Sequence, residues 1–257
     1  MSSDTILETR ALTKEFKGFV AVNKVDLKVR RGHIHALIGP NGAGKTTCFN
    51  LLTKFITPTS GQILFNGDDI TQAKPATIAR RGIIRSFQIS AVFPHLTVLE
   101  NVRVALQRKL GTSYHFWKSE RSLYGLNERA RELLEAVDLG RYTEHVTVEL
   151  SYGRKRALEI ATTLAMEPEL MLLDEPTQGM GLEDVDRIKQ LIKKVSANRT
   201  ILMVEHNMSV VSSIADTITV LQRGATLAEG PYAVVSKNPQ VMEAYMGTGA
   251  TELQGAH

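Results

Sequence analysis

The sequence predicts an α/β fold on a mostly parallel sheet, and three observations point to it. The runs His33–Ile38, Leu170–Asp174 and Thr200–Glu205 are short and apolar, the pattern of parallel strands covered on both faces. The first runs into the glycine-rich string Gly39-Pro40-Asn41-Gly42-Ala43-Gly44-Lys45-Thr46-Thr47 and then Cys48–Leu52, giving strand, turn and helix in that order. Nearer the N-terminus, Val25, Leu27 and Val29 alternate with Asp26, Lys28 and Arg30, the period of a sheet with one wet face.

Taken in order, Ile6–Phe16 and Val20–Val29 read as strands of an N-terminal antiparallel β region, and Arg31-Gly32 turns the chain into the phosphate-loop strand. Between about Gln88 and Leu150 strand-like runs vanish and helical spacing replaces it, over Val98–Leu110 and Asn127–Leu139. In the second helix Ala130, Leu133, Leu134 and Val137 share a face, and Gly140 is placed to close the end. A further helix begins at Ser151, with Ala157, Ile160, Ala161 and Leu164 on its apolar face. Thr217–Leu221, Arg223-Gly224 and Thr226–Glu229 read as a closing hairpin. Tyr232–Met246 is expected to hold a short helix, and 247–257 to be a flexible tail. The organisation predicted is one domain over 1–257. Its β-rich and P-loop core comprises 1–87 and 156–246, and a helical insert fills 88–155. The fold class is α/β, a P-loop (RecA-like) core.

The composition suits a soluble globular chain: 257 residues, 43% hydrophobic and 23% charged. No apolar run approaches the roughly 20 residues that span a bilayer, and Met1-Ser2-Ser3-Asp4 lacks a secretory flank. A cytoplasmic location is expected. The single cysteine, Cys48, excludes an internal disulfide and reads as a small apolar side chain. A net charge of +4 permits nucleotide or lipid head groups as partners but gives no argument for a nucleic-acid duplex.

The chemistry is read from four stations. In the string Gly39–Thr47 the glycines let backbone N–H groups curl around phosphates, and the following helix N-terminus adds its dipole. Lys45 reaches the β- and γ-phosphates, and the Thr46 hydroxyl is a ligand for Mg²⁺. These residues imply binding of ATP or GTP. Asp174 and Glu175 end a buried strand: Asp174 is a candidate for Mg²⁺, and Glu175 for the general base that orients attacking water. Ser151 and Gly153 stand at a helix start as a second phosphate-binding feature, best used on the nucleotide of another copy. His206, at the tip of the strand from Thr200, is placed to reach the γ-phosphate.

Together these residues resemble the ATP-binding subunits of ABC transporters over nearly the whole length. The phosphate loop is similar to Walker A, Leu170–Glu175 to Walker B, Ser151–Arg154 to the signature loop and His206 to the switch histidine. The resemblance implies that Gln88 is the Q-loop glutamine, a catalytic contributor touching Mg²⁺ and signalling to the membrane subunits. It implies that Phe16 stacks on adenine, worth about 1–3 kcal/mol in other aromatic–base systems; a strand-end core aromatic is the other reading. Finer features resemble the importers of branched-chain amino acids, urea and short amides. They are Leu150-Ser151-Tyr152-Gly153, Glu205-His206-Asn207-Met208, the insert around Gly111–Leu126, and the ending Asn238-Pro239 to Met246-Gly247. The cofactors implied are ATP and Mg²⁺. The partners implied are a second ATP-binding subunit, identical or not, transmembrane permease subunits, and indirectly a periplasmic binding protein. The place implied is the cytoplasmic face of the inner membrane, as a peripheral subunit.

Two departures stand out. Arg154 replaces the usual Gln and is expected to bring a positive charge near the partner's nucleotide, and Gly181 stands where the D-loop Asp is expected. Slower or differently coupled hydrolysis follows from them. Ser113–Lys118, with the only tryptophan, is either a docking patch or the insert's small core. The competing readings are the same ATPase role for another solute, and a soluble ATPase acting on nucleic acid or ribosomes. A P-loop kinase has no use for Ser151-Tyr152-Gly153, and a GTPase is excluded as lacking a guanine-reading Asn-Lys-x-Asp.

Overall fold

The computed structural model describes residues 4–86, 92–107 and 125–246. β1 (Thr5–Phe16) and β2 (Phe19–Arg30) form a long antiparallel pair that closes with Phe16 opposite Phe19. β3 (Ile34–Ile38) leads through the glycine-rich loop into α1 (Lys45–Leu52). The chain then makes β4 (Ser60–Phe65), β5 (Asp68–Asp69), α2 (Pro75–Arg80) and β6 (Ile83–Ser86). Three helices follow, α3 (Val98–Gln107), α4 (Asn127–Ala136) and α5 (Tyr152–Leu164). The remainder alternates: β7 (Leu170–Asp174), α6 (Leu182–Ser196), β8 (Thr200–Val204), α7 (Met208–Ile214), β9 (Thr217–Gln222) and β10 (Ala225–Gly230). Two short helices close the described chain, α8 (Tyr232–Val235) and α9 (Pro239–Met246).

Two sheets result. β2-β1-β4-β5 is antiparallel throughout, as expected for the N-terminal region. The second, β10-β9-β3-β8-β7-β6, is parallel except at the β9–β10 hairpin. Its central strands are buried along their whole length, and alternate residues feed two different apolar layers. Ala36, Ile38, Met171, Leu173, Ile201 and Met203 pack toward the helices α3 to α7. Leu37, Leu170, Leu172, Leu202 and Val204 pack toward α1 and the antiparallel sheet. Burial on both faces is why these strands read as continuous apolar runs rather than alternating ones.

α4 ends differently from the expectation. The left-handed residue that terminates it is Asp138, with φ 59°, and the Leu139 N–H reaches back to the Leu134 carbonyl at 2.8 Å. That is the Schellman closure, and a short aspartate side chain tolerates the conformation without a glycine. Gly140 instead starts a 3₁₀ turn, Gly140–Tyr142. α5 packs on α3, α4 and α6 alike. Residues 108–110 of the predicted first insert helix, the aromatic segment Ser113–Lys118, most of Gly111–Leu126 and the tail 247–257 lie outside the described residues.

Candidate active site

The parallel register puts the chemistry on one edge. Leu37 pairs with Val204 and Val204 with Asp174, so the phosphate loop, Glu205-His206 and Glu175 all leave the sheet together. β8 lies between β3 and β7. The phosphate loop and the acidic pair are therefore two strand spacings apart, about 10 Å, with the histidine turn between them.

The loop's shape depends on glycine at two points. Gly39 has φ 147°, and a Cβ there would stand 2.2 Å from the Leu221 carbonyl oxygen. Gly44 has φ 99° and would meet the Ala21 carbonyl oxygen at 2.5 Å. The closing hairpin braces the loop, since the Gly224 N–H donates to the Ala43 carbonyl at 3.0 Å and Asn23 N–H to the Gly224 carbonyl at 2.8 Å. No side chain caps α1, so its first turn directs backbone donors toward an anion. Lys45 is buried and donates to the Gly39 and Pro40 carbonyls at 2.6 and 3.0 Å. Thr46 is exposed and Thr47 half-buried. Burial pushes the Cys48 thiol up to about 12, which makes it a packing residue rather than a nucleophile.

Asp174 is buried at the end of β7, and its Oδ2 forms an ion pair with Arg85 from β6. Arg85 also donates to Asn50 Oδ1 at 2.6 Å and lies against the rings of Phe49 and Phe55. Arg156, itself paired with Glu159 at 2.6 Å, donates to the Asp174 carbonyl at 3.0 Å. Sequence reasoning missed both arginines. Glu175 adopts a left-handed φ of 45°, and its N–H donates to the last carbonyl of β8, Val204, at 2.9 Å. A non-glycine residue held there is strained, and such strain concentrates where a side chain must be aimed. The side chain reaches His206: Oε1 to Nδ1 is 3.9 Å.

Ser151 is exposed at the N-cap position of α5, yet its side chain makes no cap hydrogen bond. Tyr152 beside it is exposed. Gly153 is buried, and a Cβ at that position would lie 2.5 Å from the Asp184 carboxylate. A close approach of α5 and α6 is thus a structural reason for this glycine. Arg154, half-buried, stacks its guanidinium on the Tyr142 ring of its own chain at 4.4 Å. Gly181 is the N-cap of α6 in an ordinary extended conformation, followed by the exposed Leu182.

Phe16 is 44% exposed at the end of β1, with Lys14 Nζ 4.9 Å from its ring centroid. The core-aromatic reading therefore fails. Its cross-strand partner Phe19 is more exposed still and was not singled out from the sequence. Gln88 lies outside the described residues. Contrary to the exclusion drawn from sequence, the chain does spell an Asn-Lys-x-Asp string, Asn23-Lys24-Val25-Asp26. It sits within β2, where Asp26 Oδ1 accepts the Ala11 N–H at 2.6 Å, a strand-pairing role ahead of the phosphate loop.

Thr46 and Asp174 are hard oxygen donors of the kind magnesium takes. The guanidinium drawn onto Asp174 shows that this buried carboxylate requires a positive counter-charge. The residues fit the ion. Among the described residues no three His, Cys, Asp or Glu side chains cluster to hold a metal by themselves. That matches the habit of magnesium, which leans on one or two protein oxygens and the phosphates of its nucleotide.

A glycine-rich loop, an acidic strand end and a histidine turn on one edge of a parallel sheet define a P-loop nucleotide-hydrolysing core. The sequence matches the family model described as ABC transporter over residues 22–178, and that of the branched-chain amino acid ATP-binding cassette transporter over residues 225–251. The chain belongs to the ABC transporter ATP-binding family and is an ATPase. It is 41% identical over 255 residues to the high-affinity branched-chain amino acid transport ATP-binding protein BraF of Pseudomonas aeruginosa, covering 95% of this chain and 99% of that one. Against LivG of Escherichia coli, which bears the same description, identity is 37% over 252 residues, with 95% and 99% covered. Among solved structures it superimposes on the ADP conformation of MJ1267, an ATP-binding cassette of an ABC transporter. There the TM-score is 0.85 at 30% identity, covering 95% of this chain and all of the other. A dimeric cassette, MJ0796 with ADP and Pi, gives a TM-score of 0.73 at 26% identity, with 88% and 98% covered. No helix among the described residues is long and apolar enough to cross a membrane.

Proposed function

We propose that this ATPase powers an importer of branched-chain amino acids, peripheral on the cytoplasmic face of the membrane. It would work as one of two cassettes below a pair of permease subunits fed by a substrate-binding protein. The observation that carries the cargo assignment is the near-full-length match to BraF and LivG, joined by the branch-specific match at residues 225–251. The helical insert, 88–155, would face the permease and pass on the motion of closure through Gln88.

ATP enters with its adenine against Phe16 and its phosphates in the loop Gly39–Thr47. Lys45, which donates to the Gly39 and Pro40 carbonyls, exchanges them for β- and γ-phosphate oxygens. Thr46 and Asp174, together with Gln88, would hold magnesium, which would supply positive charge to the phosphates. Phosphoryl transfer asks mainly for positioning and charge stabilisation, so a half-built site turns over slowly. The missing donors come from a second chain, whose exposed, uncapped Ser151 presents its hydroxyl while Gly153 keeps a side chain off the corner. Glu175 orients and deprotonates the attacking water, and His206, with Nδ1 3.9 Å from Glu175 Oε1, bonds the γ-phosphate beside it. Hydrolysis then weakens the closure and the halves part.

Two measurements test this. With Glu175→Gln and Mg-ATP, size-exclusion chromatography should show a species of about twice the monomer mass of 28.4 kDa; a chain that stays monomeric removes the paired site. In cells lacking the subunit, wild type should restore uptake of labelled leucine, isoleucine and valine, while Lys45→Ala should not. Restored uptake of urea or a short amide instead would reassign the cargo.

A further inference from the structure

Glu205 is the most deeply buried carboxylate on the functional edge, at 0% exposure, and the hydrolytic mechanism leaves it without a task. Each of its oxygens is occupied. Oε1 accepts the Thr177 N–H at 3.1 Å and the Thr177 hydroxyl at 2.5 Å. Oε2 accepts the backbone N–H groups of His206 and Asn207 at 2.9 and 3.1 Å. Four donors on one buried carboxylate is full satisfaction, and it is the condition under which such a charge is tolerated.

The two arms end in places that matter. Thr177 is two residues beyond Glu175 and begins the turn that runs through Gly179 and Gly181 into α6. The other arm fixes the turn that carries His206. Glu175 itself hangs from β8 through the Val204 carbonyl, with Oε1 3.9 Å from His206 Nδ1. We propose that Glu205 is a positioning residue for ATP hydrolysis: it clamps the loop after Glu175 to the histidine turn, and so fixes the His206 imidazole relative to the water-activating carboxylate. This rests on the roles proposed above for Glu175 and His206. Asn207 supports the same turn by capping α7, its Oδ1 accepting from Ser209 and Val210. One buried clamp then serves two loops that are 28 residues apart.

Glutamine at this position keeps the size but replaces one acceptor oxygen with an NH₂ group. Facing two donors, it opens one arm of the clamp. Misplacement of a catalytic group by about 1 Å can cost about a hundredfold. Glu205→Gln in the full chain should therefore lower kcat by about ten- to hundredfold, with Mg-ATP affinity, read by a fluorescent ATP analogue, within about threefold of wild type. A group that works only through His206 should do nothing further once His206 is gone. The double variant Glu205→Gln/His206→Ala should thus turn over at the rate of His206→Ala alone. Wild-type kcat in Glu205→Gln, or losses that multiply in the double variant, would overturn the proposal. So would affinity and melting temperature falling in step with kcat. Wild-type turnover in His206→Ala and Glu175→Gln strikes the site assignment itself; loss there with an intact Glu205→Gln strikes only the clamp. If Glu205→Gln does not fold, Thr177→Val removes the single hydroxyl arm. A severalfold fall in kcat that Thr177→Ser restores supports the clamp, and unchanged kcat in Thr177→Val refutes it.

Discussion

Lys45 carries a buried charge whose hydrogen bonds end on carbonyls of the very loop it follows, so the loop and the lysine are one folded unit. Removing one buried oxyanion contact costs about 2.7–4 kcal/mol in comparable sites. Lys45→Ala and Glu175→Gln should each reduce phosphate release from Mg-ATP at least about a hundredfold; near-normal release in either would unseat the role given to it. These residues were legible in sequence because their chemistry is contiguous: loop, lysine and hydroxyl lie within nine positions, and Asp174-Glu175 follow an apolar run directly. Arg85 and Glu205 were not legible. Arg85 meets Asp174 across 89 residues and Glu205 meets Thr177 across 28, and only the strand order brings each pair together. The stacking of Arg154 was hidden for a related reason. Its helix could be read from the sequence, but the ring it stacks on, Tyr142, belongs to a separate 3₁₀ turn.

At the scale of elements, the continuous apolar runs and the alternating pair β1–β2 declared themselves, and the short or glycine-interrupted strands did not. β7 was read to the residue and β8 to within one, whereas β4 begins with Ser60-Gly61-Gln62 and β6 is four residues long. α6 was legible but went unread: Val185, Ile188, Leu191, Ile192 and Val195 carry the helical period and are all buried. How closely helices approach is a different matter, written in single glycines. Gly153 lets the start of α5 sit against Asp184 in the first turn of α6, and a methyl group would have to displace that carboxylate. Overpacking of this kind costs about 1–3 kcal/mol. Gly153→Ala should therefore lower the melting temperature by several degrees, whereas Gly181→Ala, with φ −71° and open space around the added carbon, should not. Equal melting temperatures for the two variants would mean that α6 yields at no cost.

Across the whole molecule, the two apolar layers meet on the parallel sheet, and a histidine stands inside that sheet. His35, in β3, is buried, and its Nε2 lies 2.7 Å from the Thr219 hydroxyl of β9. That hydroxyl gives its own proton to Glu229 Oε2 at 2.8 Å, so Nε2–H is the donor to Thr219. Burial, with His33 adding a smaller repulsion, pushes the His35 pKa down to about 4. In the unfolded chain it returns to about 6.5. Between those values the unfolded state binds the proton and the folded state does not, so stability rises with pH. The contribution is complete above about pH 6.5 and is lost as pH falls toward 4, a difference of about 3 kcal/mol. Asp69 and Glu100, whose carboxyls are held below their ordinary range by hydrogen bonds from Thr71 and Thr97, lose their share only at lower pH. Urea unfolding from pH 7 to 4.5 should therefore show a falling free energy that is largely flattened in His35→Gln. The same slope in the variant would assign the acid sensitivity to another group. The strand that feeds the phosphate loop would then be indifferent to protonation, and the stability lost below about pH 6.5 would come from elsewhere in the molecule.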